Sequence, residues 1–144
     1  MKIGFIGFGN MASAMADGWI AAGVPASGMY ACAGRFERLQ GRCAERGMTA
    51  LRTVAEVIDA ADLIVAAVKP HMIEKVLGPV ADKLGERPIL SVAWGWDSAK
   101  WDAAFAGSHH ISTVPNTPVA IGEGVIATEK TSTLTDGQRA EVLA

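Results

Sequence analysis

Gly7-Phe8-Gly9-Asn10-Met11-Ala12 has the spacing GxGxxA, and its residue types suit one task, the holding of a pyrophosphate. Gly7 would permit a tight turn. Gly9 has no side chain to keep a phosphate off the backbone, and Ala12 would let a helix pack close to a strand. The spacing alone is weak evidence. It becomes strong where a strand precedes it and a helix opens at it, because the helix N-terminus offers unpaired N–H groups to phosphates. A glycine turn without a ligand is the plainer alternative. An NAD site ends its second strand with Asp or Glu, roughly 20 residues past the glycines. Here that place reads Ala31-Cys32-Ala33-Gly34-Arg35, with no acid. A guanidinium pairs with phosphate in two-point geometry, so Arg35, supported by Arg38, suits the extra phosphate of NADP. Two solvated helix-start arginines are the alternative. Phe36 is placed to pack near the adenine.

Two further segments carry candidate chemistry. Val68-Lys69-Pro70 follows an apolar run, and Pro70 has no N–H to extend a ladder. Lys69 would orient a nicotinamide ribose or a backbone carbonyl, or else is a solvated loop lysine. Pro115-Asn116-Thr117-Pro118 is the second segment, and Trp94-Gly95-Trp96 ends a third apolar run between them.

The elements that must position these residues follow from periodicity. Lys2–Ile6 reads as a short buried strand. From Asn10, residues Met11, Ala12, Met15, Ala16, Trp19 and Ile20 recur at helical spacing until Gly23 and Pro25. Met29–Ala33 is a second strand, and a charged helix runs from about Phe36 to Arg46. Met48–Leu51 is a weak strand, and Thr53-Val54-Ala55-Glu56 has the form of a capping box. Leu63–Val68 has no polar member, as expected of a strand covered on both faces. Met72–Leu84 reads as one helix with a kink at Gly78-Pro79. Pro88–Ala93 is a strand, Ser98–Phe105 a helix, His110–Val114 and Gly124–Thr128 strands, and a last helix opens at a second capping box, Thr135–Gln138. This alternation predicts an α/β fold with a mostly parallel sheet, helices on both faces, and the last strand or strands free to run antiparallel. Ligands of such sheets sit beyond the carboxyl ends of the strands, where the Val68, Ala93 and Val114 ends converge.

With 144 residues, half of them hydrophobic, the chain fits one domain with a substantial core, and no linker or repeat is visible. The net charge of −2 and the lack of a long basic run argue against nucleic acid. No apolar stretch reaches the roughly 18 residues of a membrane helix. MKIGFIGFGNM has neither a basic region nor a cleavage site and reads as a cytoplasmic start, not a signal peptide. Cys32 and Cys43 form no ligand spacing and read as reduced thiols; His71, His109 and His110 form no metal-ligand pattern. The final DGQRAEVLA is a helix barely begun, which suggests a chain cut at a domain boundary. Exposed Trp94, Trp96 or Trp101 would promote self-association.

MKIGFIGFGNMASAM, AAVKP, SVAWG and VPNTPVAIGEG, in this order, resemble Δ1-pyrroline-5-carboxylate reductase over essentially the whole chain. That enzyme reduces a cyclic imine to proline with NADPH or NADH. The resemblance implies a Rossmann-type NADP-binding domain spanning residues 1–144, followed in the family by a helical domain through which the enzyme forms homo-oligomers and which this chain does not include. It also implies that Gly7, Gly9, Asn10, Met11 and Ala12 hold the pyrophosphate and Arg35 the ribose phosphate. Val68, Lys69 and Pro70 would line the nicotinamide half, with Asn116 and Thr117 beside the ring. The chain departs from the family at Val54, Trp94, Trp96 and Val114, where Asn, Ala, an aliphatic residue and Met are usual. The two tryptophans either narrow the crevice or pack an edge. The family's carboxylate-binding loop and hydroxyl residue lie in its helical domain, so weak or absent turnover is expected of these 144 residues alone. Two other readings stand beside it. One is another NADP-dependent oxidoreductase, of the hydroxyacid dehydrogenase or deazaflavin-dependent NADP reductase type. The other is a non-catalytic NADP-sensing module.

Overall fold

The structure, a computed structural model, describes residues 2–85, 87–92, 98–105, 109–115 and 126–128. The first strand, β1 (Ile3–Ile6), leads through the glycine turn into α1 (Asn10–Ala21). There follow β2 (Met29–Cys32), α2 (Phe36–Arg46), β3 (Thr49–Ala50), α3 (Val54–Ala60) and β4 (Leu63–Ala66). The second half contains α4 (Ile73–Leu77), α5 (Ala81–Leu84), β5 (Pro88–Ser91), α6 (Ser98–Ala104), β6 (His109–Pro115) and β7 (Ile126–Thr128). Among the described residues the strands form one seven-stranded sheet in the order β3-β2-β1-β4-β5-β6-β7. All neighbours are parallel except β6 and β7. This is the doubly wound, Rossmann-type α/β architecture that the alternating pattern predicts. Strand order reverses at β1, so a crevice opens beyond the carboxyl ends of β1 and β4.

Alternation along the strands divides the core in two. Ile3, Phe5, Ala31, Leu63, Val65 and Leu90 face α1 and α2, packing on Met15, Ala16, Leu39 and Cys43. Ile6, Cys32, Ile64, Ala66 and Ile89 face the other layer, with Val57, Ile58, Ile73, Leu77, Leu84 and Trp101. Both faces of the central strands are apolar because both are covered, which explains the unbroken run at Leu63–Ala66. A Cβ on Gly4 would stand 2.6 Å from Val57 Cγ1 and 2.8 Å from Ala61 Cβ, so this glycine sets how closely α3 approaches β1.

Three local expectations change. Met72–Leu84 is not one helix. A 3₁₀ turn, Gly78–Val80, separates α4 from α5, because Pro79 has no N–H to donate and its ring crowds the preceding turn. Trp101 is fully buried, 5.4 Å from Phe105 and 5.9 Å from His110 between ring centroids, and offers no surface for association. The third strand shortens to two residues. Thr53 caps α3: its hydroxyl accepts from the Glu56 N–H at 3.2 Å, and the Glu56 carboxylate bonds back to that hydroxyl, accepting from it at 3.0 Å. The helix expected from Thr135, and the tryptophans Trp94 and Trp96, lie outside the described residues.

Candidate functional site: a cleft divided by the glycine turn

Strand register brings the site together. Ile6 pairs with Cys32 on one side and Ala66 on the other, so the loops after β1, β2 and β4 leave the sheet at one level. Gly7 donates its N–H to the Cys32 carbonyl at 2.9 Å, and Ala67 donates to Ile6 at 2.9 Å. Gly7 has φ +88°, and a Cβ there would meet the Ala67 oxygen and Val68 Cγ1, both at 2.9 Å. The turn requires glycine on both conformational and steric grounds. Gly9 differs. Its backbone is extended, with φ −85° and ψ −160°, and nothing lies within 4 Å of a Cβ built on it. What glycine preserves at this position is open space in front of α1. Gly9 is the N-cap of α1, supplies no side-chain oxygen to the N–H groups of the first turn, and no acidic residue lies in that turn. The N-terminal dipole therefore faces the cleft without a built-in counter-charge.

Two cavities meet at Phe8 and Gly9. The smaller, about 340 Å³, is lined by Asn10, Arg35, Arg38 and Arg42 along with Ala33 and Leu39. The larger, about 460 Å³, lies over the β1/β4 crevice, between Ile6, Gly7, Val68 and Lys69 on the sheet side and Arg52, Val54, Met72 and Val76 around it. Lys69 is exposed at the start of the 3₁₀ turn Pro70–Met72, where its carbonyl accepts from the Met72 N–H at 2.8 Å. Cys32 forms part of the same wall. Burial pushes its thiol up to about 11, partly opposed by a hydrogen bond from the Gly7 backbone and helped by the charge of Glu56.

The expected site residues distribute unevenly. Gly7, Gly9, Val68 and Lys69 share the larger cavity, while Gly9, Asn10 and Arg35 share the smaller. Met11 and Ala12 turn their side chains to the core and could contribute only backbone N–H groups. Pro70 fixes the 3₁₀ turn beside the larger cavity and is not among its lining residues. β6 ends at Pro115, and Asn116 and Thr117 lie outside the described residues. Four lining residues belong to none of the motifs. Arg42 follows Arg38 at i+4, a helical spacing that marks both on one side of α2. Arg52 closes the short β3 on the same sheet edge, and its guanidinium sits 4.0 Å from the centre of the Phe36 ring, the ring expected near an adenine. Met72 and Val76 lie in the segment whose periodicity predicts only a helix.

The residues present fit a dinucleotide. An open helix N-terminus, a glycine whose Cβ would fill the approach, arginines at the end of β2 and an apolar slot supply the donors and the shape such a molecule needs. A family model described as NADP oxidoreductase, coenzyme F420-dependent, matches residues 2–95. The chain belongs to that family. Motif, fold and family make this an NAD(P)-binding domain.

Relatives extend the likeness past residue 95. A pyrroline-5-carboxylate reductase of Treponema pallidum is 37% identical over 150 residues, covering 100% of this chain and 57% of the relative. A Danio rerio protein, pyrroline-5-carboxylate reductase 3, is 39% identical over 129 residues, 88% of this chain and 44% of that one. The chain spans about half the length of these curated relatives. Among solved structures, a pyrroline-5-carboxylate reductase from Coxiella burnetii superposes with a TM-score of 0.86 at 26% identity, over 98% of this chain and 53% of that one. Among the described residues no helix is long and apolar enough to cross a membrane, and no group of three or more His, Cys, Asp or Glu side chains gathers as a metal site.

Proposed function

We propose that this chain is the NADP(H)-binding part of an oxidoreductase that reduces 1-pyrroline-5-carboxylate to L-proline. The observation that carries this reading is the reach of the reductase match. It continues beyond residue 95, where the broader family match stops, through VPNTPVAIGEG to the end of the chain. Residues 1–144 act as one cofactor-binding domain, in a cytoplasmic enzyme that is a homo-oligomer through a helical domain.

NADPH, when bound, supplies the hydride. The chain's own residues bind and orient. Gly7, Gly9 and the N–H groups of Asn10, Met11 and Ala12 hold the pyrophosphate against the α1 terminus. Arg35 pairs with the ribose phosphate, and the missing acid at the end of β2 removes the repulsion that would favour NADH over NADPH. Val68, Lys69 and Pro70 would border the nicotinamide half, and Asn116 and Thr117 are assigned to the ring side. A protonated imine is already electrophilic, and hydride arrival at its carbon leaves a neutral amine. The step needs alignment and water exclusion more than an acid–base pair.

The family description supports a second reading, transfer between NADP and a deazaflavin. The test is a turnover assay with 1-pyrroline-5-carboxylate and NADPH, in parallel with reduced deazaflavin and NADP. It is run on these 144 residues and on the protein extended to the length of its relatives. Proline formation by the long form alone is the expected result. Robust turnover by the 144 residues would overturn the division of labour, and deazaflavin oxidation without proline formation would replace the substrate.

A further inference from the structure

We propose that Arg42 is the positioning residue of the phosphate turn, setting affinity for NADPH and NADH alike and taking no part in the choice between them. This rests on the dinucleotide reading above. Arg42 lies on α2, yet its guanidinium reaches across to α1. One nitrogen donates to the Phe8 carbonyl and the other to the Ser13 hydroxyl, each at 2.9 Å. Those acceptors bracket the cavity-lining residues Gly9 and Asn10: Phe8 precedes Gly9, and Ser13 closes the first turn of α1 with its N–H on the Gly9 carbonyl. Ser13 in turn donates to the Asn10 carbonyl at 3.0 Å, so the bracket includes Asn10 from both ends. The guanidinium also lies 5.5 Å from the centre of the Phe8 ring, which is buried edge-on against Phe5 at 5.4 Å.

The clamp is itself held. Arg46, one turn further along α2, donates to the Asp17 carboxylate of α1 at 2.7 and 3.2 Å and to the Arg42 carbonyl at 2.9 Å. That side-chain pairing also pushes the Arg46 guanidinium further toward its charged form. The two arginines thus divide the work. Arg46 is matched by a carboxylate and ties the helices together. The two acceptors of Arg42 are neutral oxygens, so its charge remains available to an anion at the α1 terminus. A pyrophosphate is common to both nucleotides, which is why the effect falls on both. Two-point bridging needs the planar fork of arginine; a lysine ammonium keeps the charge and cannot reproduce that geometry.

The test is fluorescence titration of NADPH and NADH on the wild type, Arg42→Lys, Arg42→Ala and Ser13→Ala, with Arg35→Ala as contrast. Each Arg42 variant is expected to weaken NADPH and NADH equally, by about tenfold in Arg42→Ala and by less in Arg42→Lys, which keeps the charge and loses the two-point bridge. Ser13→Ala should act in the same direction and less. Amide hydrogen exchange at Gly7 and Ser13, whose N–H groups are bonded to the Cys32 and Gly9 carbonyls, should quicken in Arg42→Lys while its melting temperature holds, a signature that loss of charge alone would not produce. Should Arg42→Ala fail to fold, Arg42→Lys and Ser13→Ala still decide the matter. Wild-type affinity in Arg42→Lys, loss confined to NADPH, or weakened binding with unchanged exchange would each overturn the proposal. A wild type that binds neither nucleotide would overturn the dinucleotide reading as well, and so is distinct from these outcomes.

Discussion

On the α2 side of Gly9 the cleft is walled by Arg35, Arg38 and Arg42; on the β4 side it is walled by Ile6, Val54, Val68, Met72 and Val76, with Arg52 and Lys69 at its edges. The charged side draws its arginines from one short segment, the N-cap and the first two turns of α2. The apolar side is assembled from the β1 turn, the end of β2, the start of α3, the end of β4 and the helix beyond it. Charge recognition therefore sits on local sequence, whereas shape recognition depends on the whole sheet holding its register. Gly9 belongs to both cavities and Gly7 to the larger, so the two glycines are where the difference can be tested.

Gly7→Ala should have the largest effect. A side chain at φ +88° costs about 1–3 kcal/mol, before the contact with the Ala67 carbonyl is relieved. Thermal unfolding should show that loss, and nucleotide titration should show both cavities spoiled together. Gly9→Ala should separate the two quantities. Its backbone suits alanine and its Cβ meets nothing, so stability should stay within about 0.5 kcal/mol. Affinity for NADPH and NADH should nevertheless fall about tenfold, because the methyl group occupies the approach to the α1 terminus. Equal losses of stability in the two variants would break the distinction between a turn glycine and a space glycine.

Arg35→Ala should act on the charged side only. NADPH affinity should fall about tenfold with NADH unchanged. Because Arg35 is exposed, the wild-type preference should also shrink as salt rises. Unchanged NADPH affinity would remove Arg35 from the site. On the apolar side, Thr53→Ala deletes the cap that starts α3 next to Val54 and should cost about 1 kcal/mol in a melting experiment. Binding should be preserved if the slot is held by the sheet and not by the cap. The smallest change is expected in thiol labelling. With its thiol pushed up to about 11, Cys32 is protonated at neutral pH, so native labelling should be slow and should accelerate only as the pH climbs toward that value. Rapid labelling of Cys32 at neutral pH would show that water reaches the apolar wall.

Much of this cleft is legible in the chain. The strand–GxGxxA–helix order, the absent acid after β2 and the apolar run at Leu63–Ala66 are local facts, and each follows from backbone geometry or burial that a few neighbours decide. The path of α2 was equally legible, since Leu39 and Cys43 recur at i+4 and both are buried. The partners of Arg42 were not. Its spacing from Arg38 marks a helix face, but only the packing of α2 on α1 brings its guanidinium to Phe8 and Ser13, 34 and 29 residues away. Arg52 and Phe36 illustrate the same limit, as does Trp101, whose burial depends on α6 closing over β6.

The sequence by itself determined the order of elements, the parallel sheet and the phosphate-type turn. Periodicity, glycine conformation and helix capping act over a handful of residues and need no knowledge of the rest. Tertiary structure alone decided that the cleft has two unlike halves and that a second helix clamps the turn between them. Side chains distant in the chain meet only after the sheet fixes which loops share an edge, and no local spacing encodes that meeting.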